Sequence, residues 1–158
     1  MSKSDFDFRQ FENYVKKFEK MTTEFDEFLR TFLLQQAQRV VSNAKRRTPV
    51  DTGAMRASWG IGSQKITLTK VGKRKSVKID PENSTIADIS VVGNNFEVEI
   101  WNSVEYASYI EWGHRTRGGN GWVEGYYVLT ISIQQVENAM PARFNSAFTK
   151  FLKERGVG

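Results

Sequence analysis

Large apolar side chains return every seven residues at Phe11, Phe18, Phe25 and Phe32, with Tyr14, Met21 and Phe28 three places further on. This 3-4 spacing, kept for three heptads with charged residues between, predicts an amphipathic helix. It continues more weakly through Ala37, Val40, Val41 and Ala44 and ends in Lys45-Arg46-Arg47, cations suited to a helix C-terminus. No Pro or Gly interrupts before Pro49, and a proline pushes the residue before it out of the α region, so one helix is expected over residues 1–47. Aromatics this large argue against a slim two-stranded coiled coil. The stripe reads as a seam on the chain's own sheet or C-terminal helix, with a seam shared with a neighbouring subunit as the alternative.

Beyond the helix the period changes. Residues 48–60 read as a corner: Thr48-Pro49-Val50-Asp51-Thr52-Gly53 is a turn in which Asp51 or Thr52 caps a short helical turn through Ala54, Met55 and Arg56. Strands are expected over residues 58–104. Trp59, Ile61, Ile66 and Leu68 carry the first stretch, with a bend at Gly60 and Gly62, and residues 71–76 read as an exposed basic loop before Val77 and Ile79. The clearest hairpin joins residues 86–92 to 96–101 across Gly93-Asn94-Asn95, with Phe96, Val98 and Ile100 on one face and Glu97 and Glu99 on the other. Residues 105–113 form a short helix stopped by Gly113, and 114–124, with Gly118, Gly119 and Gly121, a mobile loop. Residues 125–155 return to helix through Val136, Ala139, Met140, Phe144, Ala147, Phe148 and Phe151, kinked or divided at Pro141. The fold class is α+β: a long N-terminal helix, a central antiparallel or mixed sheet and a C-terminal helix, in one domain over residues 1–158.

Composition narrows the function. The chain has 158 residues, no Cys and 1 His. Disulfides, thiolate metal sites and a cysteine nucleophile are therefore excluded. His114 is the only ordinary imidazole base and sits by the expected loop, a poor mount for catalysis that needs fixed geometry; it reads as a solvated loop residue. Glu97 and Glu99 read as a solvated strand face. No Gly-rich phosphate loop or dinucleotide fingerprint is present. No catalytic, cofactor-binding or metal site is assigned, and no cofactor is expected. The polar N-terminus and the short apolar runs predict neither a secretory signal nor a membrane span.

The formal net charge of +5 is unevenly spread. Residues 1–38 are near neutral, 39–79 carry eleven cations against Asp51 alone, and 80–158 are net acidic. Lys73, Arg74 and Lys75, with Lys70 and Lys78, concentrate the positive charge. A basic segment beside an acidic remainder means either nucleic-acid contact or a subunit whose opposite faces attract. A small nucleic-acid-binding protein using residues 39–78 is thus the competing reading, although no helix-turn-helix, zinc finger or RNA-stacking signature accompanies the charge.

Two segments are more specific. Residues 44–59, Ala-Lys-Arg-Arg-Thr-Pro-Val-Asp-Thr-Gly-Ala-Met-Arg-Ala-Ser-Trp, resemble the "AK…TPVDTGALRxS" signature of the siphophage tail-component family, gene-product-ten-like proteins of tail completion, neck and head–tail joining. Tyr106-Ala107-Ser108-Tyr109-Ile110-Glu111-Trp112-Gly113-His114 is similar to the same family's "YAxyvExGh" segment. The resemblance implies a virion protein assembled in the bacterial cytoplasm, acting by binding and not as an enzyme. Such joints commonly form rings, often hexameric, docked on tail-tube or connector proteins, with passive contact to phage DNA. Pro49, Asp51, Thr52, Gly53 and Arg56 are then a structural corner, with Arg56 reaching Asp51 or Glu111. Tyr106, Tyr109 and Trp112 are core or interface aromatics. The interface set is completed by Lys73, Arg74, Lys75, Arg115 and Arg117. The stretch after Gly113-His114 departs from the family pattern: a proline-containing segment gives way to Arg115-Thr116-Arg117-Gly118-Gly119-Asn120-Gly121.

Overall fold

The computed structural model describes residues 8–50, 53–64, 67–71, 74–79 and 81–157. Helix α1, Phe8–Arg47, carries its three cations in the last turn and ends before Pro49, as the sequence predicts. The C-terminal helix α4, Val128–Glu154, runs through Pro141 as one element and is not divided there. The proline is exposed, and its missing N–H removes one bond from a helix that is otherwise continuous.

The two helices lie antiparallel along a phenylalanine seam. Phe28 meets Phe151 with ring centroids 4.8 Å apart, Phe32 meets Phe144 edge-on at 5.3 Å, and Phe25 meets Phe148 at 5.7 Å. Edge-on and tilted contacts suit the ring quadrupole, and each pair adds about 0.5–1.5 kcal/mol beyond area burial. Arg155 closes the far end, lying over Phe151 at 3.7 Å and pairing with Glu24 at 2.5 Å. From Phe25 to Phe32 the stripe therefore packs within the chain. The side chains of Phe11, Tyr14 and Phe18 lie outside the described residues.

A second face of α1 presents Leu34, Ala37, Val41 and Ala44 to Met55, Trp59, Ile61, Ile89 and Val128, the main core. Among the described residues the strands form four two-stranded antiparallel pairs and not one central sheet. β1, Trp59–Ile61, pairs with β6, Ile100–Asn102, while β2, Thr67–Val71, pairs with β3, Arg74–Lys78. β4, Ser90–Val92, pairs with β5, Asn95–Glu97, and β7, Gly113–Arg115, with β8, Trp122–Glu124. The expected α+β class with long helices at both ends stands.

Three local expectations change. The basic stretch at 71–76 is not a loop: Val71 faces Arg74 and Lys70 faces Lys75 across a hairpin. Residues 86–88 are not strand but a 3-10 turn, Ile86–Asp88, whose Asp88 carboxylate accepts from Thr85 N–H at 2.8 Å. Asp88 also accepts from the Ser63 N–H and hydroxyl, both at 3.0 Å, which ties the turn to the end of β1. Residues 114–124 form the β7–β8 hairpin instead of a free loop. Its six-residue tip is closed by Thr116 N–H to Gly121 O at 3.0 Å and Gly119 N–H to Thr116 O at 2.8 Å. Among the described residues no helix is long and apolar enough to cross a membrane.

Candidate functional site

The corner after α1 is built around a buried hydroxyl. Thr48 donates to the Ala44 carbonyl at 2.7 Å and accepts from Trp59 Nε1 at 3.0 Å, joining the end of the helix to β1. Gly53 holds φ 75 at the start of α2, Ala54–Ala57, a left-handed shape that glycine adopts without penalty. The Arg56 guanidinium donates to the Thr48 carbonyl at 3.2 Å. The Asn102 amide reaches the Met55 carbonyl at 2.9 Å, binding the corner to β6. Asp51 and Thr52 lie outside the described residues. The expected pair of Arg56 with Glu111 does not form, because the Glu111 carboxylate serves another helix.

That carboxylate is buried at the end of α3, Ala107–Trp112, and its acceptor capacity is filled by the start of α4. It accepts from Leu129 N–H at 2.8 Å, Thr130 N–H at 2.9 Å and the Thr130 hydroxyl at 2.6 Å. Helix α4 has no side-chain cap of its own; Tyr127 precedes it with φ 48. A carboxylate at a helix N-terminus satisfies orphan N–H groups and opposes the positive end of the dipole. Gly113 follows with φ 85, and a Cβ there would collide with the Val123 carbonyl. A Cβ on Gly125 would likewise strike the Glu111 carbonyl, so the two glycines let α3, β7 and the chain after β8 close up. Tyr126 N–H to Ile110 O at 2.7 Å and Tyr127 N–H to Glu111 O at 3.1 Å complete the clamp.

What the clamp presents is aromatic. Tyr109, Trp112, Trp122 and Tyr126 are each 57–60% exposed, with Tyr106 at 43% and Val123 at 41%. Of the two readings for Tyr106, Tyr109 and Trp112, the core is thereby removed. These exposed apolar groups lie on α3 and its N-cap, on β8 and on the residues that lead from it into α4. Trp112 stacks edge-on against Tyr127 at 6.1 Å, and the Tyr127 hydroxyl donates to Glu124 at 2.7 Å. That hydrogen bond, followed by the charge of Glu124, raises the Tyr127 pKa above its ordinary value. His114 is not a solvated loop residue: it is half-buried in β7, 5.5 Å from the Tyr109 ring, with Nδ1 buried and unpartnered. Arg115 and Arg117 are exposed on the hairpin and make no ion pair among the described residues.

The other expected interface residues fall elsewhere. Arg74 and Lys75 lie in β3, while Lys73 and the neighbouring basic side chains lie outside what is described. Sequence reasoning missed Glu111 as a cap, although a helix opening on Tyr126-Tyr127-Val128 without Ser, Thr, Asp or Asn signals a cap supplied from elsewhere. It also missed Trp122, Val123 and Tyr126, whose position after a glycine-rich tip suggests a displayed hairpin arm.

The corner and the clamp thus hold buried polar groups in place, while the hairpin beside them displays aromatics. Residues 10–113 match the family model described as "Bacteriophage HK97-gp10, putative tail-component". The chain belongs to this HK97-gp10-like family of bacteriophage tail components, which are structural proteins. The match spans both the corner and the α3 clamp up to Gly113. No curated protein and no solved structure matches the chain.

Proposed function

We propose that the chain acts as one domain and one subunit of a ring at the head–tail joint or tail end of the virion, working by binding alone. The aromatic surface carried by α3 and the β7–β8 hairpin supports this reading: the fold holds it rigidly, yet leaves it wet. Tyr and Trp supply large contact area with a polar tip, which suits a surface that is soluble before assembly and buried after it. Tyr106, Tyr109, Trp112, Arg115 and Arg117 face a neighbouring subunit or a docking partner, namely tail-tube or connector protein. Light scattering of the full chain, alone and with the tail-tube protein of the same phage, tests this. A discrete oligomer, or a complex with the tube protein, is expected; a monomer that ignores both refutes it.

A second reading draws on the basic segment. One face of α1 carries Gln35, Gln38, Arg39, Ser42, Lys45 and Arg46, hydrogen-bond donors throughout. With Lys73, Arg74 and Lys75 nearby in sequence, this favours contact with phosphate along a DNA passage. The ring reading expects no tight duplex binding by the isolated subunit at physiological salt. Submicromolar affinity there, lost in Lys73→Glu with Lys75→Glu, makes nucleic-acid binding the primary function.

A further inference from the structure

The aromatic hairpin has an unexplained counterpart on the same chain. β4 has β5 as its only strand neighbour among the described residues, so its other edge is open. All three of its residues are exposed, Val91 at 48% and Val92 at 55%. Ile86, in the 3-10 turn just before it, is 41% exposed. An open strand edge bearing β-branched side chains is ordinarily blunted by charge, proline or a covering element. No proline or charged residue lies on the strand itself; beside it Arg30, paired with Asp26, donates to the Ile89 carbonyl at 3.0 Å, while Glu97, cross-strand from Ser90, and Glu99 are exposed and without ion pairs among the described residues.

The two patches are opposite in kind. The hairpin offers flat aromatics, a second open edge and two cations without ion pairs among the described residues; the β4 region offers aliphatics, an open edge and two carboxylates that are likewise without ion pairs there. They belong to different parts of the fold, since α3 packs on α4 while the turn before β4 packs on α1. Two unlike, mutually complementary patches on one chain are the requirement for a head-to-tail contact, which gives a ring when its rotation closes.

We propose that the β7–β8 hairpin of one copy docks against the β4 edge of the next. Trp122 and Val123 cover Val91 and Val92, while Arg115 and Arg117 lie against Glu97 and Glu99. Affinity comes from the apolar contact; the four charges select the partner face and direction. This deepens the ring reading and rests on it, because it names the two surfaces that meet.

Charge exchange in the full-length chain tests it, read by light scattering in low salt. Arg115→Glu with Arg117→Glu, and separately Glu97→Arg with Glu99→Arg, should each weaken association by about tenfold or more. Equimolar mixing of the two variants should restore it, since wild-type patches then meet each other and reversed patches meet each other. One chain carrying all four changes should assemble as well. Circular dichroism on each variant confirms that the fold survives, which exposed positions permit. If the wild type assembles but neither the mixture nor the fourfold variant recovers, the hairpin docks elsewhere and this inference fails while the ring reading stands. If the wild type is monomeric at every concentration and salt, this inference falls, and the ring reading falls with it only when the tube protein also leaves the chain monomeric.

Discussion

The α1–α4 seam and the α3–hairpin unit are both aromatic, yet one is closed and the other open. In the seam, six phenylalanines satisfy one another inside a single chain. In the hairpin unit, Tyr109, Trp112, Trp122 and Tyr126 keep more than half of their surface in water. The difference follows residue chemistry. Phe has no polar atom and gains nothing from solvent, whereas Tyr and Trp keep a hydrogen-bonding tip wet while their rings await a partner. The seam thus stabilises the subunit, and the hairpin unit, held by Glu111 and Gly113, is positioned by it.

The comparison breaks first at the seam. Phe28→Ala removes the ring that touches Phe25, Phe32, Phe144, Phe148 and Phe151, and should destabilise the subunit by about 3 kcal/mol in chemical denaturation. A loss below about 1 kcal/mol means the seam is not the core it looks to be.

The clamp comes next. Gly113→Val forces a branched side chain into a left-handed backbone position and against the Val123 carbonyl, and should cost about 2–3 kcal/mol. Glu111→Ala strips the cap from α4 and should cost about 2 kcal/mol. Thr130→Val in the Glu111→Ala background should then cost less than it does alone, a coupling measured by a double-mutant cycle. Additive losses would show that the carboxylate and the hydroxyl do not act together.

A smaller, pH-dependent effect belongs to Asp88. Burial pulls its carboxyl upward, but the N–H groups of Thr85 and Ser63 and the Ser63 hydroxyl outweigh that and hold it below 3.8. A depressed folded pKa contributes stability that is fully present above the unfolded value and is lost as pH falls through the folded one. Acid titration of stability should therefore show a component below about pH 4 that Asp88→Asn removes. A wild-type and variant difference that stays constant from pH 6 to pH 2.5 would contradict it.

The smallest effect on folding, and the sharpest contrast with Phe28, is expected at Trp122→Ser. With its ring mostly in solvent, the change should alter stability by no more than about 0.5 kcal/mol while weakening association. Loss of stability comparable to Phe28→Ala would mean that the hairpin is part of the core.

Much of this architecture was legible in the order of residues. The seven-residue return of Phe25 and Phe32, the spacing of Phe144, Phe148 and Phe151, the stop at Pro49 and the β4–β5 turn all depend on neighbours within one or two turns of chain, where period and backbone preference decide the outcome. The family resemblance lay in the corner and in the α3 segment, and the family match spans both. Tertiary structure alone decided the rest. Nothing local says that β1 pairs with β6 about forty residues away, that Glu111 caps a helix starting at Val128, or that Arg56 turns to Thr48. Nor does it separate an aromatic that is buried from one that is shown, because the same ring fits either place. That choice depends on which surfaces remain uncovered once every distant segment has packed, and here those are the hairpin and the edge of β4.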